Sequence, residues 1–209
     1  MYLPGDFRED RTEVLHQTMR QIGAAIVVGQ GPDGMIASHV PIELDSAPEP
    51  HGTLRCHFAR ANPQAAITDG QELLVIFQGP QGYVSPNWYP SKHLTGKAVP
   101  TWNYVAIHAY GTAVTFDEPA KLQAHLAAMT DHFESPNELP WKMADAPADY
   151  IAAMCRGIIG IEIRITRLEG KFKLSQNRSE HDAKGVVNGL RAQGDGVMAD
   201  LVARANEQR

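Results

Sequence analysis

Apolar positions first recur at helical spacing. Val14, Leu15, Met19 and Ile22 follow Asp10, which can cap a helix with Glu13 three residues on, and Gly23 ends the run. Residues 24–28 and 35–44 then read as two strands of a hairpin, and 53–60 as a third strand. Asn62-Pro63 is a helix start, since Asn caps and Pro suits the first helical position, and predicts a short helix over 64–68. A buried strand over 72–78 leads through a turn, Gly79-Pro-Gln-Gly82, into a short extended 83–86. The span 86–101, with three prolines, reads as a long loop, a length usually tied to function. Residues 103–116 are β-rich, with Gly111 as a bulge or bend. Asp117-Glu-Pro opens an amphipathic helix to about Phe133, and 146–154 is a second helix. Ile161, Ile163 and Ile165 alternate with Glu162, Arg164 and Thr166, the cleanest strand signal in the chain. A turn at Glu169-Gly170 leads into 171–175, and helices follow over 180–193 and 197–206.

These elements are mostly hairpin-connected, and no βαβ alternation runs through them. A parallel doubly wound sheet is therefore disfavoured. The pattern predicts an α+β chain, mainly β with peripheral helices: a small antiparallel barrel forming one domain over 1–209, with a helical extension from about 179 to 209. Gly29-Gln-Gly31-Pro-Asp-Gly34 matches G-x-G-x-x-G after a strand. A dinucleotide loop must open a helix, whereas 35–44 is β-branched, contains Pro41 and lacks helical periodicity. The glycines read as a hairpin turn.

Composition narrows the partners. The net charge of −5 supplies no global field toward nucleic acid, so DNA contact would need a local basic patch. No apolar run approaches the roughly 18 residues of a membrane span, and the first residues carry no signal-peptide apolar segment. Cys56 and Cys155 stand alone, which argues against a disulfide framework. These features predict a cytoplasmic protein with no membrane partner.

Nine histidines include no H-E-x-x-H, and no metal site is predicted. His125 and His132, two helical turns apart, read as a surface pair. No G-x-S-x-G nucleophile elbow is present. Three polar islands interrupt the apolar strands. The first is Ser38-His39. The second runs from His57 through Arg60 to Asn62, and reads either as an anion site at a helix start or as a plain junction with a solvated Arg60. The third joins Tyr83-Val-Ser85-Pro-Asn-Trp-Tyr89 to Pro100-Thr-Trp-Asn-Tyr104. It suits a planar ligand through aromatic faces and the polar groups of Ser85, Thr101 and Asn103, or else a self-stabilised loop. His39 and His57 are the acid–base candidates, against a structural role for both.

The motifs themselves resemble a known family. Met1-Tyr-x-Pro4-x-x-Phe7, Ala37-Ser-His39-x-Pro41 and His57-x-Ala-Arg-Ala-Asn-Pro63 open the series. Phe77-Gln-Gly-Pro80, Tyr83-Val-Ser-Pro-x-Trp-Tyr-Pro-Ser-Lys92 and Val99-Pro-Thr-Trp-Asn-Tyr104 continue it. Trp141-Lys142, Ile159-Gly160, Lys171-Phe-Lys-Leu-Ser-Gln-Asn177 and Gly185-Val-x-x-Gly-Leu190 complete it. Nearly end to end, the chain resembles the PaiB-type FMN-binding negative transcriptional regulators. The resemblance implies a split β-barrel homodimer with FMN in the crevice between subunits. It places the phosphate near Arg60 and Asn62, helped by Ser85 or Lys92. It places the flavin ring near Ser38, His39, Thr101, Trp102 and Asn103, with His57 in the same motif and Lys173, Ser175 and Gln176 closing the site. It implies a repressor, read as working through a partner or the flavin's state, since the chain is acidic and its last helix pair offers no DNA-reading surface. A flavin-dependent oxidoreductase of unknown substrate is the alternative, and a haem-binding barrel a third.

Overall fold

The computed structural model describes residues 1–66 and 70–207. The chain opens with a 3-10 turn, Gly5–Phe7, and β1 (Arg8–Glu9). Next come α1 (Thr12–Ile22), β2 (Ala24–Gly31), β3 (Gly34–Pro41), β4 (Glu43–Asp45) and β5 (Thr53–Ala59). A 3-10 turn at Pro63–Ala66 precedes β6 (Glu72–Val84). A 3-10 turn at Pro86–Trp88 and α2 (Pro90–Thr95) lead to β7 (Thr101–Phe116). The remainder is α3 (Pro119–Glu134), α4 (Ala148–Arg156), β8 (Ile158–Lys173), α5 (Glu180–Ala192) and α6 (Gly196–Glu207). The strands form one sheet in the order β3-β2-β6-β7-β8-β5-β4, with β1 paired to β8. Among the described residues, no helix is long and apolar enough to cross a membrane.

Most predicted elements are present. The hairpin pairs Ile26 with His39, and Gly31 opposite Gly34 closes it, so the glycine-rich segment is a turn and not a nucleotide loop. Gly34 sits at φ +121°, a conformation natural only to glycine. Residues 43–45 form a separate strand on β5 instead of extending the second strand. Helix α1 begins two residues after the predicted Asp10 cap, because Arg8 and Glu9 pair with Lys171 and Gly170. The helix predicted over 64–68 is a 3-10 turn, and positions 67–69 lie outside the described residues.

Three predicted breaks are differently built. β6 runs straight through Gly79-Pro-Gln-Gly82. Its ladder to β2 pairs only residues 74–76, so Pro80 removes no donor from that ladder. β8 runs through Glu169-Gly170, where pairing to β1 replaces the expected turn. The long loop over 86–101 contains two short helical segments, each opened by a proline at its first position.

The chain divides into two compact units. The first comprises Met1–Arg11, Gln78–Ile107 and Glu169–Arg209; the second comprises Thr12–Phe77 and His108–Leu168. In the first, Val84, Tyr89, Val105 and Leu174 pack with Val186, Leu190, Met198 and Val202 of α5 and α6. The apolar faces of the last two helices are therefore committed to a core. In the second, Ile161 and Ile163 are fully buried, as their alternation predicts, with Leu54, Cys56 and Phe58 of the paired β5. Gly111 lies within a continuous β7, where a Cβ would stand 2.2 Å from the Arg164 carbonyl oxygen. Close approach, not a bend, requires glycine there.

Helix α5 lies on Trp88 by the same device. A Cβ on Gly189 would come within 2.2 Å of the Trp88 indole. Gly189→Ala should gain up to about 1 kcal/mol of helix propensity and lose about 1–3 kcal/mol to overpacking. The denaturant midpoint is expected to fall; a raised midpoint would remove this packing argument.

Candidate functional site

The polar islands fall into two clusters, one in each unit. In the second unit Asn62 acts as the predicted cap: its Oδ1 accepts from the Gln64 amide at 2.9 Å, and its Nδ2 donates to Ser38 Oγ at 2.8 Å. Four residues of 3-10 turn carry little dipole, so an anion there would rely on side chains more than on a helix field. Gln64 is buried and donates to the Val27 carbonyl at 2.8 Å, which fastens the turn to β2. His39 is exposed on β3, at the end of the strand order.

Arg60 is partly engaged. Its Nε donates to the Arg156 carbonyl at 3.0 Å, and one terminal nitrogen donates to Asp117 Oδ2 at 3.1 Å. The Arg60 and Asp117 side chains are 45% and 62% exposed, and a pair so wet holds its partner weakly, by about 0–1 kcal/mol.

His57 turns the other way. Its Nδ1 stands 3.2 Å from His125 Nε2, and His125 Nδ1 stands 3.0 Å from Glu43 Oε2. His125 is only 4% exposed, so it does not form the surface pair with His132 that the seven-residue spacing predicts. The helical wheel gives the spacing of two side chains but not which face the protein buries. Burial, and then the charge of His125, push the His57 imidazole below its ordinary range.

In the first unit, Lys173 Nζ donates to Thr101 Oγ1 at 2.7 Å and to the Trp102 carbonyl. Burial, and then the like charges of Lys171 and Arg178, hold the Lys173 ammonium below its usual range. No salt bridge reaches it among the described residues. Asn103 is fully buried; its Nδ2 donates to Ser175 Oγ at 2.9 Å, while its Oδ1 has no hydrogen-bond partner among the described residues. Ser175 occupies the left-handed region at φ +66°, where a side chain is strained, and the Asn103 bond fixes it there. Gln176 is spent on its own turn, accepting from the Leu174 amide and donating to the Phe172 carbonyl. Ser85 and Lys92 both converge on Asn87. Tyr83 and Trp102 meet edge to face, with centroids 6.0 Å apart and Trp102 53% exposed.

Of the residues in these two clusters, the sequence singles out Thr101, Trp102, Asn103, Lys173 and His57; it gives no role to Glu43, Lys171 or Arg178, and it reads His125 as a surface residue. Glu43 and His125 lie 82 positions apart, a separation that no local motif spans. Among the described residues no three His, Cys, Asp or Glu could hold a metal. Both cysteines are buried and free, and burial pushes the Cys56 thiol up to about 12, far from thiolate chemistry.

An uncompensated half-buried cation, a buried acceptor without a donor and an exposed aromatic pair fit an anionic planar ligand with polar ring edges. FMN is such a group.

Known proteins resemble the chain in fold and in sequence. A Mycobacterium tuberculosis protein described as conserved and hypothetical superposes with a TM-score of 0.59 at 11% identity, covering 86% of this chain and 95% of its own. A Mycobacterium smegmatis protein described as binding FAD and haem superposes at 0.58 with 18% identity, covering 79% and 73%. At such identities these likenesses show the fold alone, an antiparallel split barrel. In sequence, the chain is 34% identical to an uncharacterised Emericella nidulans protein across 100% of this chain and 99% of that one. It is 30% identical to the Bacillus subtilis protease synthase and sporulation protein PAI 2, over 91% of this chain and 89% of that one. The family profile described as "Putative FMN-binding domain" matches residues 1–167. The chain therefore belongs to the PaiB-type FMN-binding family that its motifs resemble, and FMN is the cofactor of that family.

Proposed function

We propose that the chain works as a homodimer with FMN at the seam between copies, and that it represses gene expression through a partner that responds to the flavin. The observation that carries the flavin site is the Lys173 cluster: a half-buried cation that leans on neutral oxygens beside two further cations and an exposed Trp102. Arg60 and Asn62 are the proposed phosphate grip, with Ser38 and His39 beside them on β3. Arg60 would exchange the wet Asp117 carboxylate for a phosphate carrying nearly two charges. Ser85 and Lys92 serve by ordering the segment around Asn87, and Gln176 by fixing the turn after Lys173. Bound FMN supplies electron and hydride chemistry, which the protein only positions.

The regulatory half of the reading rests on the family resemblance and on the sporulation-linked name of the Bacillus subtilis relative. A partner is preferred to direct DNA reading because the chain is acidic and α5 and α6 bury their apolar faces in a core. Two free buried thiols suit a reducing, cytoplasmic setting. The second reading, a flavin-dependent oxidoreductase, is favoured by His57, whose Nε2 has no protein partner among the described residues.

The untagged protein should be yellow, release FMN by mass and sediment as a dimer. A colourless protein that takes up no added FMN, or a monomer that retains it, would overturn the site at the seam. Steady oxidation of a nicotinamide donor would favour the enzyme over the regulator.

Single substitutions separate the two grips. Arg60→Ala and Lys173→Met should each weaken FMN binding by about 1.5–3 kcal/mol, roughly ten- to a hundredfold in Kd. Asp117→Asn should tighten it by freeing Arg60. If Arg60→Ala and Asp117→Asn both leave the affinity unchanged, the phosphate does not sit at Arg60.

A further inference from the structure

We propose that Glu43, His125 and His57 form a proton relay whose outer atom, His57 Nε2, is a base that takes a proton from a Brønsted acid and passes the charge inward to His125, where the Glu43 carboxylate faces it. The proposal rests on the Glu43, His125 and His57 geometry and does not depend on flavin binding.

Hydrogen-bond polarity sets the tautomers. A carboxylate only accepts, so at 3.0 Å from Glu43 the His125 Nδ1 must carry hydrogen. In a neutral ring that leaves His125 Nε2 bare, and it can only accept across 3.2 Å from His57 Nδ1. His57 must then carry its hydrogen on Nδ1 and present an unprotonated Nε2. That atom is not sealed inside the protein without a partner, and no hydrogen bond occupies it among the described residues.

Uptake balances in two transfers. The acid's proton forms an N–H bond at His57 Nε2 as the acid's own bond breaks. The His57 Nδ1–H bond then breaks as a new one forms at His125 Nε2. The positive charge ends on His125, against the Glu43 carboxylate. No electron moves, and no co-reactant is needed.

The surroundings have room for that one charge. Arg55 of β5 lies 2.9 Å from Glu162 of β8, 3.4 Å from Asp45 and 4.0 Å from Glu43 of β4. Lys121 of α3 lies 3.7 Å from Glu162. Three carboxylates thus meet two cations, and the network is one positive charge short. Arg20 of α1 and His132 of α3 line a cavity shared with Glu43, but neither forms a salt bridge with it among the described residues. The Phe116 ring of β7 meets His125 edge-on and offers no charge. A first proton completes the network. A second would set two imidazolium rings side by side, in line with the lowered His57 range. One proton is then shared between both rings across the His57–His125 contact.

The sequence leaves His57 either an acid–base or a structural role, and the relay assigns the first. Glu43 and His125 are positioning residues that act through it.

The test is long-range proton–nitrogen NMR of histidine-labelled full-length protein from about pH 8 to about pH 5, a range that brackets the ordinary imidazole value near 6.5. His57→Gln and His125→Gln spectra assign the two rings. At the alkaline end both rings should show hydrogen on Nδ1, the less common tautomer of a free imidazole. On acidification both should shift through one midpoint. Glu43→Gln, whose amide can donate as well as accept, should weaken that uptake about tenfold and mix the tautomers. Hydrogen on His57 Nε2 at the alkaline end would overturn the proposal. So would a folded Glu43→Gln protein with unchanged tautomers and midpoint. Should that variant fail to fold, the wild-type tautomers alone decide.

Discussion

The pleat of the strands is the constraint on which the candidate chemistry rests. Successive side chains leave a strand on opposite faces, so a residue between two core residues must point away from that core. Cys56 and Phe58 are almost fully buried, and His57 between them is driven to the other face, where α3 brings His125. In the other unit Asn103 and Val105 share the buried face of β7, which leaves Trp102 53% exposed against Tyr83. Apolar packing thus aims the polar groups before any ligand arrives. A shift of one residue in either strand would turn the core outward and the chemistry inward.

What the sequence makes legible follows from the same rule. Alternation exposes Ile161, Ile163 and Ile165 as core, and their burial follows. The hairpin closed by Gly31 and Gly34 is readable because it is local. The motif around Thr101–Asn103 is readable because three chemically expressive residues are consecutive. Illegible features depend on partners distant in the chain. Nothing near Glu169-Gly170 announces that Arg8 and Glu9 will pair alongside and carry β8 through it. Pro80 reads as a turn until the β2 ladder is seen to end before it. The relay is the extreme case: its bonds join residues 68 and 82 positions apart, across β5, α3 and β4.

Charge shows why composition misleads at the scale of a site. A net −5 speaks against a nucleic-acid partner, which needs a field along an extended surface. It does not speak against a single phosphorylated cofactor. Exposed charges farther apart than about 8 Å are largely screened at physiological salt. What any small anion meets is the local set of side chains. In one unit that set is Lys173 with Lys171 and Arg178, whose like charges add to burial in holding the Lys173 ammonium below its usual range. In the other it is Arg60, held only by the exposed carboxylate of Asp117 and a backbone carbonyl.

The two sets differ in a way that bears on how each could work. Arg60 is wet, already paired and free to exchange partners, so it suits a tail that arrives and leaves with its own hydration. Lys173 is half-buried, bonded to neutral oxygens and crowded by like charge, so an anion beside it replaces an unfavourable state rather than a favourable one. On equal contacts, more of the binding free energy should therefore come from the Lys173 cluster, because no existing ion pair must be broken there. The Glu43 network has the opposite character, with carboxylates in excess by one and a histidine bridge where the missing charge can settle. An acidic chain can thus carry one cluster that attracts an anion and another that attracts a proton, because each is decided within a few ångströms by which side chains the strands turn toward each other.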